Sequence, residues 1–302
     1  MILFFIEYIF MIKKTFRQRL NDNEFAITAE LFPPKGTDLS AIFQKAEILQ
    51  FCVHAVNITD NQRAVVRYSS LALCAHLEMR GIESIYQLTV RDRNRIALQS
   101  DLLATKEFNI KNVLALSGDL PVHGDHKEAK PVYDFDTITL ISCIKNMNEG
   151  FDFNHKALKG GTDLFIGAVC NPVYEPIELQ ILTMEKKVKA GASFFQTQAV
   201  YSAEDFKKFV DDTKYMNVKI LPGILPLKSA NMARNLNANV PGIKIPDKLI
   251  EILEKSSNPL EEGLRISADL INQFKSFADG VHIMAINFEE KIPEILKLAG
   301  II

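Results

Sequence analysis

Two hydrophobic patterns alternate along the chain. Short runs rich in Val, Ile, Phe and Thr fall at 25–32, 55–59, 84–89, 113–117, 164–170, 194–197, 219–222 and 280–285. Their length and near-continuous apolar character predict strands buried on both faces. Between them, at 40–51, 65–80, 93–107, 135–148, 177–190, 203–213, 229–236, 246–255, 259–278 and 289–298, apolar residues recur every three or four positions, which predicts amphipathic helices. Gly81 in Arg80-Gly81-Ile82 and Gly191 in Ala190-Gly191-Ala192 stand where a helix must stop before the next strand. Eight strand–helix units in 302 residues predict an α/β protein, a single-domain (β/α)8 TIM barrel. The alternative, an open doubly wound sheet, would want a Gly-x-Gly-x-x-Gly turn after its first strand, and here that strand ends in Pro33-Pro34.

The barrel is expected over 23–302, preceded by an extension over 1–22 with a polar helix at 14–20. Residues 1–11 are apolar but broken by Glu7 and too short to span a bilayer. They carry no leading basic residue and no small-residue cleavage site, so they do not read as a signal peptide. The natural soluble start is Met11, which makes 1–10 an upstream-start artefact or a loosely packed extension.

Composition narrows the function classes. With 47% hydrophobic and 24% charged residues and a net charge of -2, the chain has an ordinary soluble profile that points away from nucleic acid and membrane partners. Cys52, Cys74, Cys143 and Cys170 are far apart with no Cys-x-x-Cys pair, so they read as reduced core residues of a cytoplasmic protein, and no metal site is expected. His282, in the last strand, reads as a satisfied structural histidine. Of two long polar connections, 121–132 follows a strand end and is a candidate lid, while 149–162 follows a helix and belongs to the opposite face.

Catalysis in a parallel barrel is built at the C-terminal strand ends. The first strand is cut off by two prolines just past its one carboxylate, Glu30, the first candidate acid. Successive strand ends add Asn57, Thr59-Asp60-Asn61, Gln87, Thr89, Ser117-Gly118-Asp119, Asn171, Tyr174, Gln196, Gln198 and Asn287. Such a ring of amides, hydroxyls and carboxylates, with almost no positive charge, suits a neutral heterocycle rich in donors and acceptors better than a phosphosugar. Taken singly, each is also ordinary turn vocabulary, and Glu30 alone reads more readily as a glutamate that caps its strand or pairs with Lys35.

Five ordered motifs resemble the methylenetetrahydrofolate reductase family from about Phe25 to the carboxyl end. They are Glu30-Leu31-Phe32-Pro33-Pro34-Lys35, Gly118-Asp119-Leu120-Pro121, Glu185-Lys186-Lys187-Val188-Lys189-Ala190-Gly191-Ala192, Gln196-Thr197-Gln198 and Pro222-Gly223-Ile224-Leu225-Pro226. The resemblance implies a flavin-containing barrel that reduces 5,10-methylenetetrahydrofolate to 5-methyltetrahydrofolate by ping-pong hydride transfer. It implies Glu30 as general acid in a dry, apolar setting between Leu31 and Phe32, and Asp119 as an acid facing both flavin and folate. Gln198 and Asn287 fall on folate-side positions. Thr59, Gln87, Ser117, Gly118, Tyr133, Thr183, Lys186 and Lys187 fall on flavin-binding ones.

The sequence departs from the pattern at several positions. Ser117 replaces a common arginine, Val169 and Val173 replace polar flavin contacts, Ala230 replaces a stacking phenylalanine, and Phe288 stands where an arginine for the folate tail is frequent. These departures resemble the branch found in anaerobes, some members of which work with a separate cysteine-rich subunit. FAD and FMN stay open as the flavin, NADH and NADPH as the reductant, and a homo-oligomer or such a partner complex as the assembly. Two further readings are another flavin barrel of the proline dehydrogenase kind and a non-catalytic barrel subunit.

Overall fold

A computed structural model describes residues 14–302. The assignment of 1–10 to an upstream start lies outside the described residues. Eight parallel strands, β1 (Ala26–Leu31), β2 (Ala55–Ile58), β3 (Ser84–Thr89), β4 (Asn112–Leu116), β5 (Phe165–Cys170), β6 (Phe194–Ala199), β7 (Lys219–Ile224) and β8 (Gly280–Ile283), close in sequence order into a barrel. β8 returns to β1 with Thr28 opposite His282. The helices are α1 (Phe16–Asn21), α2 (Ser40–Leu49), α3 (Ser70–Glu78), α4 (Arg95–Glu107), α5 (Thr137–Asn148), α6 (Ile177–Ala190), α7 (Ala203–Thr213), α8 (Ala230–Asn239), α9 (Asp247–Lys255), α10 (Pro259–Phe274) and α11 (Ile292–Leu298).

Among the boundaries that differ from expectation, two have clear local causes. The helix expected from 65 starts only at Ser70, because Gln62–Ala64 form a 3-10 turn and Ser69 caps α3 by accepting from Ala72 N. The last helix begins as a 3-10 turn at Glu289–Lys291, with Pro293 in the first turn of α11.

The period-two alternation of each strand sorts side chains into an outer layer against the helices and an inner stack. The outer layer holds Ile27, Ala29 and Leu31 of β1. The inner stack has two tiers beneath a cavity. Its floor is apolar: Phe16 and Leu20 of α1 enter from below onto Ala26, Ala55, Ile85, Leu114, Phe165, Phe194 and Leu221. The Phe16 ring meets Phe194 edge-on at 5.2 Å, and Phe165 stacks on Phe194 at 5.0 Å. A side chain at Gly167 would lie 2.2 Å from the Phe194 ring, so this position in β5 has no room for a Cβ. α1 is held at its first amide by Glu83, whose carboxylate accepts from Phe16 N at 3.0 Å. Above the floor lies a buried polar tier, Thr28, Asn57, Gln196 and His282. Above that the barrel opens into a cavity at the C-terminal strand ends.

Candidate active site

The polar tier fixes the chemistry above it. Gln196 Nε2 lies 3.0 Å from both Asn57 Oδ1 and Thr28 Oγ1, and Asn57 Nδ2 donates back to Gln196 Oε1 at 2.7 Å. The Thr28 hydroxyl lies 3.0 Å from His282 Nδ1 and 3.4 Å from Val281 O, and Gln196 Nε2 lies 3.3 Å from the same ring nitrogen. The other ring nitrogen, His282 Nε2, lies 3.6 Å from Glu30 Oε2. The same oxygen accepts from Gln87 Nε2 at 2.9 Å. Glu30 is buried as expected, but its surroundings are not apolar. Leu31 adjoins it only in sequence. The strand's alternation turns Leu31 outward and leaves the carboxyl between an amide and an imidazole.

The cavity has a volume of about 500 Å³, inside the range of about 300–1,000 Å³ usual for small-molecule and cofactor sites. Eight of the expected site residues line it: Glu30, Thr59, Gln87, Ser117, Gly118, Asp119, Lys187 and Gln198. Tyr133 lies just behind, donating from its hydroxyl to Gly118 O at 3.2 Å. Thr183, Lys186 and Asn287 are exposed and outside the lining. The Thr183 hydroxyl is turned back onto Leu179 O at 2.7 Å, and Asn287 sits in a left-handed turn with its amide on Glu289. Ser117, in place of an arginine, bonds Thr137 across 2.8 Å. Val169 lines the cavity, Ala230 is buried, and Phe288 is buried beneath Lys228 Nζ, 4.1 Å from its ring centre.

The expectation of almost no positive charge is corrected by two side chains. Arg91 lines the cavity at 2% exposure. Lys187 reaches in from α6, donating to Val169 O at 2.7 Å, and has no carboxylate within ion-pair distance among the described residues. Burial depresses its pKa, and burial pushes the neighbouring Cys170 thiol up to about 12. Neither cation stands at a strand end. Arg91 sits two residues past β3, and Lys187 points back from a helix, so a roll of strand termini misses both. His282 is conspicuous in the sequence but reads there as structural; its register opposite Thr28, beside β1, is what aims it at Glu30. Asp60 also lines the cavity, but its carboxylate is used up by Thr89 N, Thr89 Oγ1, Ser70 Oγ and Arg93.

The candidate lid over 121–132 is tied down at three points. Asp125 pairs with Lys35 and accepts from Val66 N at 3.2 Å, and Gly124 packs so tightly on Ala64 that a Cβ would lie 1.9 Å from its carbonyl oxygen. Asp119, at the entry to this loop, points one carboxylate oxygen at Arg63 N, 2.8 Å away.

Whether the residues suit a flavin can be tested on the atoms themselves. Thr59 Oγ1 is buried on the cavity wall with no hydrogen-bond partner, and Lys187 is a half-buried cation with a single carbonyl for company. Gly118 turns with φ +83°, and its missing Cβ makes room for the Thr89 and Arg91 side chains behind the wall. An orphaned donor and an uncompensated cation suit a ring with carbonyl and imine acceptors that carries a phosphate arm.

A family model described as methylenetetrahydrofolate reductase matches residues 15–300. The chain belongs to the methylenetetrahydrofolate reductase family. Methylenetetrahydrofolate reductase 2 of Schizosaccharomyces pombe is 26% identical over 305 residues, covering 93% of this chain and 46% of that protein. The 5,10-methylenetetrahydrofolate reductase of Buchnera aphidicola is 25% identical over 296 residues, covering 94% of each. The chain thus spans about half the length of the fission-yeast relative and nearly all of the bacterial one. Among solved structures, a Clostridium thermocellum protein described as binding two copies of 5-methyl-5,6,7,8-tetrahydrofolic acid superposes with a TM-score of 0.62 at 18% identity, over 94% of this chain and 96% of that one. At that identity the likeness is one of fold.

Proposed function

We propose that this protein catalyses the flavin-dependent reduction of 5,10-methylenetetrahydrofolate to 5-methyltetrahydrofolate in the cytoplasm, with NADH or NADPH as reductant. The observation that carries the reading is that Glu30 and Asp119 line one cavity together with an orphaned Thr59 hydroxyl and the uncompensated Lys187 cation. Family membership and the folate-binding neighbour of the same fold support the substrate class.

In this reading Glu30 hands a proton to the bridging nitrogen of the substrate, opening its five-membered ring to an iminium cation. Gln87 holds the carboxyl's orientation through its hydrogen bond to Oε2, and the His282 ring stands 3.6 Å from the same oxygen. Asp119 stabilises the iminium by charge, and Gln198 orients the pterin through its amide. Thr59, Gln87, Gly118 and Lys187 would hold the flavin, with Lys187 on its phosphate arm. A flavin bound there supplies the hydride acceptor and donor of a ping-pong cycle.

Replacing Glu30 by Gln tests the reading, because the variant keeps an acceptor for Gln87 but has no proton to give. Folate reduction should fall by at least about 100-fold while flavin binding is unchanged. Wild-type turnover by Glu30→Gln would overturn the assignment.

A further inference from the structure

Arg91 is almost wholly enclosed, lines the cavity, and has no role in the reading above. A guanidinium in an active site invites the idea of an anion ligand, and the geometry argues against it. Nε and Nη2 make a bidentate pair with Asp92, at 2.8 and 2.6 Å, so the charge is cancelled locally. Nη2 also donates to Asn61 O at 3.1 Å and Nη1 to Asp119 O at 3.2 Å. Four of its five N–H groups are therefore spent within the protein. Lys187, by contrast, keeps its charge free.

What those bonds hold is specific. One fixes the main chain of Asp119 itself. Another fixes the carbonyl of Asn61, the first residue of a turn in which Asn61, Arg63 and Ala64 all have positive φ, at 46°, 58° and 55°. Non-glycine residues adopt that conformation only where the surroundings impose it. The turn's product is the Arg63 amide, which donates to Asp119 Oδ2 at 2.8 Å. Gly118 completes the packing, since a Cβ there would lie 3.1 Å from Arg91 Cβ and 3.3 Å from Nη1. Arg91 thus reaches both anchors of Asp119, its backbone directly and its carboxylate through the Asn61–Ala64 turn.

We propose that Arg91 is the positioning residue for Asp119, a neutralised guanidinium that joins the β2, β3 and β4 loop ends and sets where the Asp119 carboxylate stands in the cavity. This rests on the assignment of Asp119 to the folate reaction. Lysine at position 91 keeps the charge but not the fork, so Arg91→Lys is the informative variant and spares the fold better than alanine.

Two measurements decide the matter. In the flavin-free protein, hydrogen exchange over residues 60–66 should speed up at least about tenfold in Arg91→Lys, with the barrel strands unchanged; unaltered protection of 60–66 overturns the proposal whatever the enzyme does. In the loaded enzyme, Arg91→Lys should slow reoxidation of reduced flavin by methylenetetrahydrofolate by about 10- to 100-fold, the scale of an ångström-sized misplacement, with flavin affinity held within about threefold. The loss should all but vanish when Arg91→Lys is placed on Asp119→Asn, as expected for residues acting as one unit. Additive losses would show that Arg91 works by another route and sink the proposal. An Asp119→Asn variant that turns over normally would instead remove the assignment of Asp119, and the exchange rates over 60–66 would then decide by themselves whether Arg91 holds the turn.

Discussion

Lys187→Met separates what the cavity needs when empty from what it needs when filled. The ammonium has one hydrogen bond, to Val169 O at 2.7 Å, and no counter-ion among the described residues. If it meets the phosphate arm of a flavin, the lost contact is a charge-assisted hydrogen bond of about 1.5–3 kcal/mol, or about 10- to 150-fold in affinity. In the empty protein the balance reverses. Methionine gives up the charge-assisted Val169 bond, about 1.5–3 kcal/mol, but also removes the desolvation of an ion, which runs to several kcal/mol for full burial and less at a half-buried site. A net gain of about 1 kcal/mol, or roughly 2 °C in Tm, is expected.

The pH dependence carries the same signature. Burial lowers the Lys187 pKa below 10.5, so between the folded pKa and 10.5 the unfolded chain binds more protons and the wild type gains stability as pH rises. The advantage of Lys187→Met should therefore be greatest at neutral pH and fade toward pH 10.5. Flavin titration by fluorescence quenching and thermal melts of the apoprotein across that window read both effects. Flavin affinity within twofold of wild type, or a variant that melts lower than wild type at neutral pH, would refute the reasoning.

Glu78 sits below the barrel with Oε1 accepting from Ser84 N and Oγ, both at 2.7 Å, and burial raises its pKa to about 7. Its contribution to stability is present below the unfolded value of 4.5 and lost as pH rises through 7; the rise from 4.5 to about 7 corresponds to about 3 kcal/mol at most, so Glu78→Gln should be the more stable protein at pH 8 and not at pH 4.5, and parallel urea curves at the two pH values would contradict this. Phe16→Ala empties the floor tier and should cost about 3–5 kcal/mol in urea unfolding while leaving flavin affinity unchanged, since the polar tier lies between the floor and the site.

The fold is legible in the sequence because a parallel barrel writes a coarse, repeated signal. Strands buried on both faces are continuous apolar runs, and each is followed by a helix with its own period and stop. The strand-end rule then finds Glu30, Thr59, Gln87, Gly118, Asp119 and Gln198, all of which line one cavity. It fails where geometry is not sequential. Leu31 and Phe32 are the neighbours of Glu30 along the chain, yet its partners in space come from β3 and β8, and Gln87 lies 57 residues away. Lys187 and Arg91 are out of reach of the strand-end rule for the same reason; the motif resemblance names Lys187 but pairs it with Lys186, and nothing local in Glu185-Lys186-Lys187 says that the third residue turns inward while the second faces solvent. Only the helix phase, set by what α6 packs on, decides that.

The two cations also show why a count of charges would mislead even after both are found. Arg91 and Lys187 line one cavity, but the first is answered by Asp92 and the second by nothing among the described carboxylates. Asp60 is likewise answered by Arg93, whereas Glu30 and Asp119 accept only from an amide side chain and a backbone N–H, apart from the imidazole 3.6 Å from Glu30. What the cavity offers a ligand is therefore uncompensated positive charge at the β5–α6 wall and carboxylates at the β1 and β4 walls. In the proposed reading the flavin's phosphate arm answers Lys187 and the folate iminium answers Asp119. A phosphate set instead against Glu30 and Asp119 would make a like-charge contact in a partly desolvated space and leave Lys187 unanswered. The polarity of the walls, more than their number of polar groups, selects the binding mode.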